Sequence, residues 1–218
     1  MNSKSIIFNL FLITFISLIG CSKGTYRFNG SDNIITLTRD LPSFTKIVAN
    51  DWFEVNVSKN TKQIVDIMVN DNLQDQIITM VDGSTLFISL ADGSYTNETF
   101  IVNIELPILE RLELNDDCHG EVNFTADQLE FEVDDSSELS LTGSAEILNS
   151  IINDDGKINA FSFTAAVVNA SVKDDSELEI TCTKELNGTV EDDSELSYRG
   201  TPIINVNTSD EGRIINAN

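Results

Sequence analysis

Five short acidic turns recur along the second half of this 218-residue chain and constrain its fold more than any other feature. They are Val133-Asp134-Asp135-Ser136-Ser137-Glu138-Leu139, Ile152-Asn153-Asp154-Asp155-Gly156-Lys157-Ile158, Val172-Lys173-Asp174-Asp175-Ser176-Glu177-Leu178, Val190-Glu191-Asp192-Asp193-Ser194-Glu195-Leu196 and Thr208-Ser209-Asp210-Glu211-Gly212-Arg213-Ile214. Their closing apolar residues stand at 139, 158, 178, 196 and 214, giving steps of 19, 20, 18 and 18. A diverged copy precedes them at Leu114 to Val122. On either side of each turn the apolar residues alternate, as in Leu129, Phe131 and Val133 before it and Leu139 and Leu141 after it. Alternation is the period of a strand with one buried face, and a repeat of this length buries that face only against its neighbours. The expected fold is therefore all-β, a right-handed β-solenoid with coils of about 18–20 residues. Gly143, Gly188 and Gly200 fall near strand ends, where the chain must turn.

Residues 40–110 read as a more irregular β-rich part of the same domain, which spans 40–218 with its repeats in 111–218. Phe44, Ile47, Val48, Phe53, Val55 and Val57 suggest paired strands, and Ile64 to Val69 another. Ile77 to Val81, the turn Asp82-Gly83-Ser84 and Thr85 to Leu90 read as a hairpin, followed by a strand from Phe100 to Glu105. Residues 21–39 read as a polar tether carrying a first strand at Ile34 to Leu37.

Residues 1–20 have the pattern of an export signal: Lys4, then an apolar run from Ile6 to Ile19, too short for a membrane-spanning helix of about 20 residues. Leu18-Ile19-Gly20-Cys21 looks like a lipobox, with cleavage before Cys21 and acylation, including palmitate, of the new N-terminus. The mature chain is then expected to be anchored to a membrane through its lipid without spanning it.

Thirty-six acids against 13 bases give a net charge of −23, the opposite of what phosphate neutralisation needs, so nucleic acid is excluded as a partner. Residues 108–218 hold 25 acids and 6 bases, net −19, and residues 1–107 hold 11 and 7, net −4. The excess is concentrated on the repeats, where stacking about 4.8 Å apart would set equivalent aspartates in rows. Two readings follow for Asp135, Asp154, Asp174, Asp192 and Asp210. They form a calcium ladder, calcium accepting several carboxylate and carbonyl oxygens with loose geometry, or they form a solvated acidic face that resists edge-to-edge aggregation. Neither the EF-hand nor the glycine-rich β-roll pattern is present.

No catalytic constellation stands out. Cys118 adjoins His119 in a turn but lacks a third orienting group, and Cys182 continues the apolar stripe Leu178, Ile180. Whether the two cysteines pair is not legible. One histidine leaves no His-rich metal site. Acids that recur in every copy suit a repeated surface better than a single acid-base pair, so the chain reads as non-enzymatic, with polysaccharide binding or cleavage on a β-helix as the alternative. Phe161, Phe163, Trp52 and Tyr198 are the residues that could break the repeat into a site; Phe161 and Phe163 are expected in the core and Trp52 packed beside Phe53.

Phe44-Thr45-Lys46-Ile47, Phe53-Glu54-Val55-Asn56-Val57, Asp82-Gly83-Ser84-Thr85-Leu86-Phe87-Ile88, the run Leu106-Pro107-Ile108-Leu109-Glu110-Arg111-Leu112-Glu113-Leu114, the repeated turns and Tyr198-Arg199-Gly200-Thr201-Pro202 follow one another in this order. Over residues 40 to 218 the chain thereby resembles the family named "putative auto-transporter adhesin, head GIN domain". The resemblance implies an exported lipoprotein of a Gram-negative cell envelope, at the outer membrane with its periplasmic or surface face undecided. The family's molecular function is unknown; the tethered N-terminus and elongated repeat are what point to a β-solenoid surface for a glycan or an envelope protein, and no cofactor is expected. The family's turns commonly read Gly-x-Gly, whereas this chain has Asp135, Asp154, Asp174, Asp192 and Asp210 at the first position and Ser137, Gly156, Ser176, Ser194 and Gly212 at the second. Aspartate tolerates left-handed backbone better than most residues, so the turn shape is expected to survive.

Overall fold

The computed structural model describes residues 26–218; the apolar run of the export signal and Cys21 lie outside the described residues. The first part of the chain forms β1 (Arg27–Asn29), β2 (Ile34–Thr38), β3 (Lys46–Ala49), β4 (Glu54–Lys59), β5 (Ile64–Asn70), β6 (Ile77–Asp82), β7 (Thr85–Leu90), β8 (Ser94–Thr96), β9 (Phe100–Leu106) and β10 (Arg111–Leu114). The repeats form β11 (His119–Val133), β12 (Glu138–Ile152), β13 (Lys157–Val172), β14 (Glu177–Val190), β15 (Glu195–Arg199), β16 (Ile203–Thr208) and β17 (Arg213–Asn216). The structure is a β-solenoid of about 6 turns.

Each acidic turn joins two arms of successive coils, and the arms stack in parallel register. Leu114 pairs with Val133, Val133 with Ile152, Ile152 with Val172 and Val172 with Val190 on one side of the turns. On the other side Glu54, His119, Glu138, Lys157, Glu177, Glu195 and Arg213 form one column. The inward columns are mainly apolar: Leu129, Leu148, Val168 and Leu186 stack with 0% exposure each, while buried Ser150 enters the neighbouring column between Phe131 and Ala170. Full burial of such an apolar side chain contributes about 1.5–3 kcal/mol, so the stack is held by a core that is continuous along its axis.

The long strands bend where the alternation changes phase. In β11 the buried positions 120, 122 and 124 give way to 129, 131 and 133. In β12 and β13 a register shift between Ser140 and Gly143 accompanies the bend. Gly143, Gly188 and Gly200 have φ of 113°, 143° and 97°, and a Cβ at each would meet a carbonyl oxygen of the preceding coil at 2.1, 1.8 and 2.1 Å. Only glycine fits there. The same bend corrects one sequence expectation: Phe163 is buried, but Phe161 falls on the outside, its ring 4.0 Å from the Arg199 guanidinium carbon.

The expected hairpin is β6 with β7, paired antiparallel and turning at Gly83 with φ 59°. β3 and β4 enter the stack as its first full coil, pairing with β10 and β11. β9 adds to β4 in parallel and to β5 antiparallel, and β2 closes over β5. Within the segment read as a tether, Arg27–Asn29 is a strand as well, paired in parallel with Ser94–Thr96. Both described cysteines are free and buried.

Candidate binding surface

The turn ridge carries the densest charge. Asp135, Asp154, Asp174, Asp192 and Asp210 occupy one column with φ between 53° and 58°, and the column extends to Asp116 and Asp51 at 68° and 72°. The left-handed backbone that glycine would adopt is thus held by aspartate in seven stacked turns. Their carboxylates also serve the backbone: Asp116 accepts the N–H of Asp51 at 2.7 Å, Asp135 that of Asp116 at 3.2 Å, and Asp51 that of Leu90 at 2.7 Å. Two residues further on, the column Cys118, Ser137, Ser176, Ser194 is buried. Ser137 Oγ accepts from the N–H of Cys118 and donates to the carbonyl of Asp116, and Ser176 Oγ donates to the carbonyl of Asp154 at 2.7 Å. Cys118 Sγ stands 3.5 Å from the carbonyl of Asp51 in the same relation. Burial, first, and the nearby Asp116 and Asp51 carboxylates push its thiol up to about 12, against the opposing hydrogen bonds, which leaves it no nucleophile.

Acidic neighbours in this ridge are interleaved with partners. Asn153 donates to Asp134 at 2.6 Å, Asn115 to Glu113 at 3.1 Å, Lys173 pairs with Glu191 at 3.1 Å and Lys157 with Glu177 at 2.6 Å. Among the described residues no group of three or more His, Cys, Asp or Glu side chains is placed to hold a metal ion. Desolvation raises Asp134 above the ordinary aspartate value, opposed by the Asn153 hydrogen bond and reinforced by Glu113, Asp135 and Asp154.

A different surface breaks the repeat. Trp52, the chain's single tryptophan, is 37% exposed rather than packed away. Its ring meets Tyr95 edge-on at 5.8 Å, and Tyr95 in turn stacks on Phe28 at 5.1 Å and abuts Phe100 at 5.5 Å. The Tyr95 hydroxyl donates to the carbonyl of Ala91 at 2.7 Å, fixing the ring that supports the indole. From Trp52 an open groove of about 660 Å³ passes Glu54, Glu98, Thr99, His119 and Glu121. It shares Glu121 with a second hollow of about 660 Å³ bordered by Asn56, Ser58, Asn103, Asn123, Ser140 and Thr142. The strand registers explain the assembly: Asn56 faces Asn103 and Glu121, and Asn123 faces Ser58 and Thr142, all outward positions of adjacent arms. Asn56 Nδ2 donates to Glu54 at 2.9 Å and to Asn103 at 3.2 Å, so the amides and carboxylates are already oriented. Neither hollow is lined by lysine or arginine.

Of the residues singled out from sequence, the structure thus gathers the five aspartates into one column, buries Cys118, Cys182 and Phe163, and places Trp52 at the head of a groove. Tyr198 is partly buried against the core. The sequence reading missed the groove's other walls, because β9 reaches β4 only through a pairing 47 residues apart. It also missed an asparagine ladder, Asn149, Asn169, Asn187 and Asn205, linked by side-chain hydrogen bonds of 2.9, 3.2 and 2.9 Å and visible as a residue recurring at the coil period.

A family model described as "Putative auto-transporter adhesin, head GIN domain" matches residues 43–202. Solved structures share the architecture. A Bacteroides fragilis protein described as a putative adhesin has a TM-score of 0.68 at 20% identity, over 86% of this chain and 98% of that one. A Parabacteroides distasonis protein with the same description has a TM-score of 0.60 at 15% identity, over 87% and 99%. Another from Parabacteroides distasonis, described as a putative lipid binding protein, has a TM-score of 0.54 at 16% identity, over 87% and 98%. At these identities the likeness is one of fold. No curated protein matches the sequence.

Proposed function

The chain belongs to the "Putative auto-transporter adhesin, head GIN domain" family, and from that premise we propose that it is a non-enzymatic, lipid-anchored envelope protein that binds a glycan along the groove headed by Trp52. The observation that carries this reading is the exposed indole, held edge-on by Tyr95, at the end of a trough of oriented Asn, Ser, Thr and Glu side chains. Aromatic faces stack on the apolar face of a sugar ring, and fixed amides and carboxylates take its hydroxyls; few such polar groups suffice for orientation. With Glu54, Glu98 and Glu121 and no lysine or arginine along it, the groove suits neutral or amino sugars and repels acidic polysaccharides. Its polar lining does not suit an acyl chain. The acidic turns are a backbone-shaping, solvated ridge in this reading and hold no resident cation.

Cys21 supplies the anchor in this proposal, after removal of residues 1–20. Incorporation of labelled palmitate by the full chain, lost in Cys21→Ala, tests that part by itself. For the groove, a glycan array probed with residues 22–218 and with Trp52→Ala is decisive. Signal on neutral or amino-sugar glycans that falls at least tenfold in the variant supports the proposal. Signal that survives the substitution, or binding confined to an envelope protein in a parallel pull-down, overturns it. Shortened glycan products would overturn the non-enzymatic reading in favour of cleavage.

A further inference from the structure

A strip of aromatic rings leads from the first described residue to the groove. Tyr26, 71% exposed, stacks on Phe28 with centroids 6.4 Å apart, Phe28 stacks on Tyr95 at 5.1 Å, and Tyr95 carries Trp52. Pairing of β1 with β8 sets Phe28 opposite Tyr95, so Trp52 is three ring contacts from Tyr26. Tyr26 is five residues from Cys21, a length of chain that reaches at most about 18 Å. The groove lies at this same end of the solenoid. Its walls come from β4, β9, β11 and the start of β12, whereas Arg213 on β17 stands five stacking steps beyond His119, about 24 Å away at strand spacing.

We propose that, given the anchored, glycan-binding reading above on which this rests, the glycan of the groove is the headgroup of a neutral glycolipid in the membrane that holds Cys21, with Tyr26 and Phe28 at the lipid–water interface and Trp52 on the sugar. Reach selects a ligand rooted in the same membrane. A tether this short holds the groove beside the bilayer, where a headgroup confined to that surface meets it at a high effective concentration, while a polymer beyond the envelope would be met first by the far coils. Ring chemistry selects the interface. Tyrosine and tryptophan settle where an apolar ring faces lipid and a polar group faces water, whereas exposed rings between tether and groove add no contact to a free polysaccharide held in the groove. Charge selects a neutral headgroup. Asp51 and Asp92 stand near Tyr95 and Glu98 borders the groove, on a chain of net charge −23, so phosphate-bearing and acidic headgroups are repelled. The acyl chains stay in the bilayer, because the groove's polar lining takes only the sugar.

Residues 22–218, which contain every described element and lack the lipid of Cys21, are floated with phosphatidylcholine vesicles bearing lactosyl, mannosyl or N-acetylglucosaminyl neoglycolipids and titrated with the same sugars free in solution. At least one sugar is expected to bind in both forms, at least tenfold more tightly on the vesicle, and more weakly when phosphatidylglycerol replaces part of the phosphatidylcholine. Tyr26→Ser, at an exposed position, should lower the vesicle affinity at least fivefold and leave the affinity for the free sugar unchanged, whereas Trp52→Ala lowers both; circular dichroism melting confirms that each stays folded. A sugar bound equally in both forms, or a folded Tyr26→Ser variant that loses nothing on vesicles, would overturn the glycolipid source and leave the groove reading standing. Sugar-free vesicles bound as tightly as the glycolipid ones would overturn it in favour of a bare lipid surface. Binding of no sugar in either form would overturn both readings.

Discussion

The carboxylate of Asp116 accepts the backbone N–H of Asp51 across 2.7 Å, although the two residues are 65 positions apart. Both have positive φ, and both belong to the column that continues through Asp135 to Asp210. One residue type thus does two jobs in this turn: it takes the left-handed conformation, and it caps an N–H of the coil before it. At this exposed turn such a bond contributes about 0.5–1.5 kcal/mol, which offsets part of the self-repulsion of the acidic row.

Substitution at Asp135 separates the two jobs. Asp135→Ala is expected to lose about 1–2 kcal/mol through left-handed strain, plus about 0.5–1.5 kcal/mol for the bond to Asp116. Asp135→Gly removes the strain and loses the bond alone, so it should unfold at a denaturant midpoint between those of the unaltered chain and Asp135→Ala. Equal midpoints for the two variants would contradict the backbone role.

Stability should rise on mild acidification. Desolvation holds Asp51, Asp134 and Glu132 above their ordinary values, in Glu132 against the pull of Arg111. An acid raised in the folded state carries a penalty that is absent below its unfolded pKa, 3.8 for aspartate and 4.5 for glutamate, and grows as pH rises through the folded value. Asp71 acts oppositely: hydrogen bonds from Asn33 and Ser31 lower it, so its contribution is lost only as pH falls through a value below 3.8. The melting temperature is therefore expected to climb as pH is lowered from neutral and to fall again at strongly acid pH. Asp134→Asn, which can still accept from Asn153, should flatten the climb.

Cys118 is expected to be inert while the protein is folded. A thiol pushed up to about 12 carries almost no thiolate at neutral pH, so reaction with a disulfide reagent should await unfolding. Cys118→Ser should change stability by less than about 1 kcal/mol, because Ser137, Ser176 and Ser194 already fill this column. Rapid modification of the folded chain would contradict the buried placement.

Much of this was legible in the sequence because the repeat has a fixed step. The alignment of five turns predicts which aspartates share a column, and glycine's usual place in that turn predicts their left-handed backbone. Asp51 escaped notice, since Trp52 and Phe53 follow it where the other copies have polar residues. Phe161 was misplaced for a local reason: the alternation skips between Ala160 and Phe163 at the bend, and a period-two count carries across such a bend with the wrong face. The groove was illegible because its walls come from β4, β9 and β11, joined by pairings that no local pattern encodes. The same is true of β1 with β8, each of three residues and 67 positions apart.

Divalent cations should not act specifically. The carboxylates of Asp51, Asp116 and Asp135 accept backbone N–H groups, Asn153, Lys157 and Lys173 stand among the turn acids, and among the described residues no group of acids is placed to hold a metal ion. Melting temperatures in calcium, in magnesium and with chelator are expected to coincide at matched ionic strength, while added salt raises all three by screening the ridge. A rise confined to calcium would restore the calcium ladder.

The most direct test of the proposed function uses Trp52 as its own reporter, since the chain has no other tryptophan. Titration of residues 22–218 with neutral and amino-sugar oligosaccharides, followed by tryptophan emission, should give a saturable shift with at least one of them and none with an acidic polysaccharide. Emission unchanged across the panel, while the protein still binds glycans by an independent readout, would contradict the placement of the binding surface at the groove.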